Sequence, residues 1–455
     1  MITKLAAAPT TDLCTKVPSD ATDNRTDVLI IGGGPAGSTA ATLLRGYGHQ
    51  VTLLEKSRHP RFHIGESLLP ENLPLLEKLG VGEQIRAIGM QKFGAEFVST
   101  VHGRSEVFEF SECWNKDRPF AYQVRRSQFD EILIRRAAEQ GAEVIEGCRV
   151  TDVTLAGAGE GIKVRAEHED GRSESWHARF LIDASGRDTF LAARLGAKRR
   201  NPEHNSAAIF AHFAGARRDT GRGAGNILLY WFDHGWFWFI PLADGATSVG
   251  VVVWPYYLKS RKSSLQDFFL ATIALCPPLA ERLAGAAMIT PPEATGNYSY
   301  TATLSHGDNY LLLGDAYAFI DPVFSTGVWL AMNSAAAGAE AVDICLRQPA
   351  AAARALRAFD RLMRHGPRTF SWFIYRVTSP TMRDMFMNPG NPLRIKEALL
   401  SVLAGDIFGQ TPIWQSLRAF KGVYYLLSAL NLRRSIRASR QHRRNISEQA
   451  GQLAS

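Results

Sequence analysis

Asp27-Val-Leu-Ile-Ile-Gly-Gly-Gly-Pro-Ala-Gly37 decides the fold of this chain. Residues 28–31 are apolar and mostly β-branched, the composition of a strand covered on both faces. They run directly into Gly32-x-Gly34-x-x-Gly37 and an Ala-, Thr- and Leu-rich helical stretch that ends near Gly46 or Gly48. A second strand, residues 50–54, follows and ends on Glu55. Strand, glycine turn, helix and acid-tipped strand together make a dinucleotide-binding βαβ unit. Gly32 permits the tight turn, Gly34 leaves room for a pyrophosphate, and Gly37 lets helix and strand pack closely. Pro35 and Ala36 open the helix, whose unpaired amides and positive dipole end suit phosphate. Glu55 stands where a carboxylate accepts ribose hydroxyls, with Lys56 beside it as a further cofactor contact. An acid at that point disfavours a 2′-phosphate, so the ligand is FAD or NAD rather than NADP.

Outward from this unit the chain alternates strands and helices. Helix is expected over residues 129–140, and strands over 143–146, 149–156, 161–168, 174–182 and 310–313. Residues 206–253 are strand-rich and aromatic, the pattern of an antiparallel sheet. A helix is expected over 326–346 and further helices to about Ile436, followed by a basic tail. The chain has 455 residues, 45% hydrophobic and 21% charged, enough apolar surface for a large core, which excludes disorder and fibres. Five dispersed cysteines without a C-x-x-C pair argue for a reducing, cytoplasmic setting and against a disulfide framework or a metal site. The first 25 residues read as a flexible leader without the apolar run of a secretory signal. Of the net charge of +8, most sits in Arg433, Arg434, Arg437, Arg440, Arg443 and Arg444. With no stacking platform beside them, nucleic acid is not expected. Plain solvation, an acidic protein partner and a weak membrane-surface contact all remain open for that tail.

Two further segments place an acid at the end of an apolar run: Leu181-Ile-Asp183-Ala-Ser-Gly186-Arg187 and Leu313-Gly314-Asp315-Ala316. Here the chain resembles the FAD-dependent monooxygenases built like para-hydroxybenzoate hydroxylase. The resemblance implies FAD, with Gly314 and Asp315 against its ribityl-pyrophosphate part and Asp183, Arg126 and Gly327 as further contacts. Val124, Arg126 and Asp130 fall on that family's V-x-R-x-x-F-D element. The plain alternative for Asp315 is a helix cap.

Trp236-Phe-Trp238-Phe-Ile240-Pro241 is the least common feature of the chain. Two tryptophans at a spacing of two share one face of a strand, and such pairs more often pack than react. W-x-W-x-I-P nevertheless resembles the signature of the flavin-dependent halogenases, and two further elements agree. Lys92, in Ile88-Gly-Met-Gln-Lys92-Phe-Gly94-Ala95 after Gly65-Glu66-Ser67, falls on their catalytic lysine. Phe319-Ile-Asp321-Pro322-Val-Phe324-Ser325-Thr326-Gly327 matches their halide site, which maps onto Ser325, Thr326 and Gly327. Phe324 stands where the tryptophan halogenases carry a catalytic Glu, which points to an electron-rich arene such as a phenol or pyrrole. Leu403-Ala-Gly405-Asp406-Ile407-Phe408 is similar to a late stretch of the pyrrolyl-carrier halogenases.

The resemblance implies an α/β, Rossmann-like FAD-binding fold divided as follows: a FAD-binding first part over 26–195, an antiparallel substrate-side lobe over 196–305, a return segment over 306–345, a helical region over 346–432 and a basic tail over 433–455. It implies a reduced FAD supplied by a separate flavin reductase, chloride or bromide as halide, and an aromatic substrate that is free or held on an acyl carrier protein, in secondary-metabolite biosynthesis. Lys92, Trp236 and Trp238 are the expected catalytic group, with Phe324, Phe97, His63 and Tyr298 as candidates near the arene. An aromatic hydroxylase or flavin-linked reductase of the same fold is the alternative reading.

Overall fold

A computed structural model describes residues 23–155, 161–296, 299–409 and 411–446. The leader up to residue 22, Tyr298 and the last nine residues of the expected tail lie outside the described residues.

The first strand, Asp23–Ile31, pairs in parallel with Val51–Glu55 on one side and with Ser173–Asp183 on the other. Val28, Leu29 and Ile30 are wholly buried, as an apolar run between two parallel neighbours requires. Glu143–Glu146 adds a further parallel strand. The eleven-residue strand Ser173–Asp183 serves two partners along its other edge. Its first half pairs antiparallel with Ile162–His168, and its last three residues pair in parallel with Tyr310–Leu312. Ile31, Asp183 and Leu312 therefore lie side by side, and the segments that follow them open onto one crevice at the carboxyl ends of the strands. That edge is where ligands bind in open α/β sheets.

Helix Pro35–Gly46 and the long helix Thr326–Arg347 cover this sheet and pack on each other. Both present alanines at helical spacing, Ala36 and Ala40 on one and Ala331, Ala335 and Ala339 on the other, which brings the two backbones close. At Gly37 a Cβ would meet the Gly32 carbonyl oxygen at 1.9 Å, so the contact between helix and glycine turn admits no side chain.

The second sheet has Ala207–Ala214, Thr247–Val253, Gly235–Pro241 and Ile227–Phe232 in antiparallel order, as the aromatic region suggested. It departs from expectation at its far side. Gly94–Ser99 and Arg104–Glu109 join it, and Gly94–Ser99 runs parallel to Ile227–Phe232, so the sheet is mixed and takes strands from well before residue 196. Both faces are covered. Trp236, Trp238 and Ile240 face a cluster completed by the C-terminal helices Ala352–Ile374, Pro380–Met387 and Ile395–Ala404, whereas Phe237 and Phe239 face Phe269 and Ile273.

The expected tail is largely a helix, Leu432–Ile446, and the stretch beyond Ile436 docks on the body. Arg434 pairs with Asp384, the His442 ring meets the edge of Trp254 at 5.1 Å, and Asn205 donates to the Ile446 carbonyl. Six arginines without an acid can still form a helix here because such tertiary contacts offset their mutual repulsion. The helix 126–139 begins three residues before Phe129, with Arg126 at its first position.

Candidate functional site

A cavity of about 640 Å³ runs through the crevice and continues under the second sheet. Its near end is built by the glycine turn. Gly32, at φ +99°, can carry no side chain, because a Cβ would meet the Ala184 carbonyl oxygen at 2.5 Å. Gly34 is different: a Cβ there has nothing nearer than Arg61 at 3.6 Å, so the space it leaves open belongs to the cavity. Pro35 and Ala36 line the wall at the helix start. Glu55 is buried and already satisfied in part, accepting from the Gly33 amide at 2.6 Å and from the Ser57 amide at 2.9 Å. Lys56 lines the wall and pairs with Asp188 across it.

Arg126 forms a bidentate pair with Asp130, at 2.7 and 2.9 Å, and donates to the Ile64 carbonyl at 2.7 Å. Burial alone would raise Asp130, but the Arg126 guanidinium outweighs it and holds the carboxyl below its ordinary range. Asp315 stands at the far wall with no side-chain partner for its carboxylate among the described residues. Burial pushes it up to about 6, against the opposing pull of Arg126 and Arg187. A carboxylate left unbonded on a cavity wall, an open Gly34 and a helix start together fit the hydroxyls and pyrophosphate of FAD.

Two of the expected cofactor residues act from behind the wall. Asp183 does not reach the cavity; it accepts from the amides of Ser185 at 2.9 Å and Leu191 at 2.7 Å, and so shapes the turn at 184–188, which does line it. Gly314, at φ +51°, packs against Ala331 and leaves Asp315 to face the cavity.

The other end is aromatic. Trp236 and Trp238 line it with their rings 6.0 Å apart, joined by Phe210, Phe62 and Ile240. Trp238 depends on its neighbour strand: Gly250 lies opposite it in register, and a Cβ there would fall 2.1 Å from the indole. Ser325 and Gly327 line the same end. Ser325 takes φ +56°, an uncommon conformation for a residue with a side chain, and turns the chain into helix Thr326–Arg347. The loop before it is tethered by Asp321, which accepts from His204 at 2.8 Å and from the Val323 amide at 3.0 Å. Thr326 itself is buried away from the cavity.

Phe324 and Phe97 do not reach the cavity either. Phe324 packs in the cluster behind the tryptophans, and Phe97 is held between Phe108, Trp231 and Phe386 at ring distances of 4.8–5.5 Å. His63 does line it; burial pushes its ring down to about 4, and Nδ1 donates to the Ile64 carbonyl.

Lys92 is 1% exposed and is not part of the cavity wall. Its ammonium lies 5.4 Å from the Phe110 ring centre and donates to the Ser67 hydroxyl at 2.7 Å. No carboxylate pairs with it among the described residues, and burial lowers its pKa to about 7. Sequence reasoning passed over a pair beside it. Glu66, on the cavity wall, accepts from His212 at 3.0–3.1 Å, and both are 2% exposed. No local signal announces His212, which comes from a strand 146 residues away.

The family profile described as FAD binding domain matches residues 25–357. The chain is 31% identical over 409 residues to a 1H-pyrrole-2-carbonyl-[peptidyl-carrier protein] chlorinase of Pseudomonas fluorescens, covering 85% of this chain and 90% of that one. The solved structure of the myxobacterial chondrochloren halogenase superposes with a TM-score of 0.75 at 33% identity, over 86% of this chain and 93% of that one. A flavoprotein/dehydrogenase from Cytophaga hutchinsonii superposes with a TM-score of 0.81 at 29% identity, over 90% of this chain and all of that one.

Proposed function

The chain belongs to the flavin-dependent halogenases, FAD enzymes that halogenate aromatic substrates, and from that premise we propose how its own residues divide the work. The observation that carries the proposal is the continuity of one cavity, from the glycine turn and Asp315 at one end to Trp236, Trp238, Ser325 and Gly327 at the other. Bound FAD, reduced by a separate flavin reductase, supplies with O2 the oxidising power that turns halide into hypohalous acid.

Gly34, Glu55, Arg126 and Asp315 hold the cofactor, and the Gly327 amide at the helix start, with Ser325 beside it, holds chloride or bromide. The tryptophan wall keeps bulk water and the organic substrate away from the cofactor end, so the oxidised halogen leaves only along the cavity. Lys92, enclosed behind the wall at Ser67, takes it up. As a buried amine without a counter-ion it keeps a lone pair near neutral pH, and as an ammonium it donates a hydrogen bond. The substrate is an electron-rich arene. A pyrrole carried on a carrier protein is the first candidate, since the likeness to the chlorinase runs over 85% of the chain and Leu403-Ala-Gly405-Asp406 resembles a late stretch of the pyrrolyl-carrier halogenases.

The test incubates the protein with FAD, a flavin reductase, NADH, air and either halide, together with phenols and pyrrolyl-carrier conjugates. Mass spectra should show a halogen isotope pattern that depends on the reductase. A hydroxylated product, or NADH oxidation by the protein alone, would instead identify the hydroxylase or reductase reading.

A further inference from the structure

Ser67 and Lys92 are brought together by backbone pairing. The short strand Ala121–Gln123 lies between their two segments. On one edge it pairs with Met90–Lys92, with Lys92 opposite Ala121; on the other, Ser67 bridges Gln123 and the Leu68 amide donates to the Tyr122 carbonyl. The Phe93 and Gly94 amides both donate to the Asn226 side chain, which fixes the chain as it leaves Lys92. The 2.7 Å contact between Lys92 Nζ and Ser67 Oγ is therefore set by strand register.

The two residues differ in where they stand. Ser67 lines the cavity, whereas Lys92 lies behind it, closed off on another side by the Phe110 ring. We infer that Ser67 is a positioning residue for the proposed reaction: its hydroxyl holds Lys92 against the cavity wall and carries a proton between the buried amine and the cavity. The inference rests on the lysine reading given above. Rotation about the Cα–Cβ bond lets a hydroxyl accept from an ammonium or donate to an amine, so Ser67 can stay bonded to Lys92 in either state. When the ammonium discharges, its N–H bond breaks as a new O–H bond forms on Ser67, and the hydroxyl's former proton passes to water in the cavity. One proton leaves the lysine, one enters the cavity, and Ser67 ends as it began.

The charged and titratable groups on the neighbouring elements are engaged elsewhere. Glu66 is turned to His212, Glu109 to Arg222 and Glu112 to Lys396, while Tyr122 faces Arg86 and the Cys113 thiol is held neutral by burial. Ser67 is thus the polar group that bonds Lys92 among the described residues.

The experiment compares Ser67→Ala, Ser67→Thr and Lys92→Ala in the reconstituted halogenation assay across pH, with FAD content and peroxide release measured on the same samples. Loss of the hydroxyl should lower kcat about 100-fold, the scale of a small misplacement in an active site, with arene KM and FAD content unchanged. The acidic limb of kcat should move to lower pH, because an ammonium without its acceptor discharges more readily. Ser67→Thr keeps a hydroxyl and should restore both. A merely structural role would leave the limb in place, and unchanged kcat and limb in Ser67→Ala overturn the inference. If Lys92→Ala still halogenates, the lysine reading falls and this inference with it. A dead Lys92→Ala beside a wild-type-like Ser67→Ala removes the inference alone.

Discussion

A lysine enclosed without a counter-ion is costly to the fold, and the role proposed for Lys92 would give that cost a purpose. Its folded pKa of about 7 lies below the ordinary lysine value of about 10.4, so between those limits the unfolded chain binds a proton that the folded chain lacks. Stability should rise with pH across that window. Lys92→Met, of similar volume, should raise the melting temperature at pH 7 and flatten its rise toward pH 10, as a series of thermal melts would show. Halogenation should behave in the opposite sense: Lys92→Ala should abolish it while FAD binding persists, measured by product mass and bound-flavin absorbance. Gly34→Val separates fold from cofactor in the same way. Nothing stands within 3.6 Å of a Cβ at that point, so the variant should melt like the parent yet purify without FAD. Both residues were singled out in the sequence, Gly34 by spacing and Lys92 by resemblance. The enclosure of Lys92 behind Ser67 was not, because burial depends on what other segments contribute.

At the scale of elements, strand Gly235–Pro241 needs its neighbour. The period-two tryptophans announce an aromatic face, but the room for Trp238 comes from Gly250 across the register. Gly250→Ala should therefore cost about 1–3 kcal/mol, the usual range for overpacking a core, and tilt the indole away from the cavity. The expected readout is a lower melting temperature together with more peroxide released per halogenated product; an unchanged ratio would leave Trp238 as packing alone. Asp183 teaches a related lesson. An acid at a strand end looked like a cofactor contact, and its carboxylate instead caps the Ser185 and Leu191 amides that form the cavity wall. A strand-end acid has both options, and only the path of the following turn selects one.

For the whole molecule, the second sheet supplies Trp236 and Trp238 to the cavity, and the C-terminal helices share one buried cluster with them without lining it. Helix Leu432–Ile446 belongs to that body. Its removal would strip Arg434 from Asp384 and His442 from Trp254 and Glu203, so a chain ending at residue 431 should unfold at a lower temperature than the full one. Equal melting curves would return the helix to the status of a tail. No helix among the described residues is long and apolar enough to cross a membrane. The dinucleotide-binding unit and the parallel sheet could be read directly from the chain, because each rests on contiguous residues whose spacing is set by strand and helix geometry, whereas FAD and the halogenase family came from the resemblance of short motifs. The joining of residues 94–109 to the second sheet, the Glu66–His212 pair and the withdrawal of Phe97, Phe324 and Asp183 from the cavity could not. Each depends on which side chains meet across more than a hundred residues or on which way a turn runs, and those contacts are settled by how the two sheets and the last helices pack on one another.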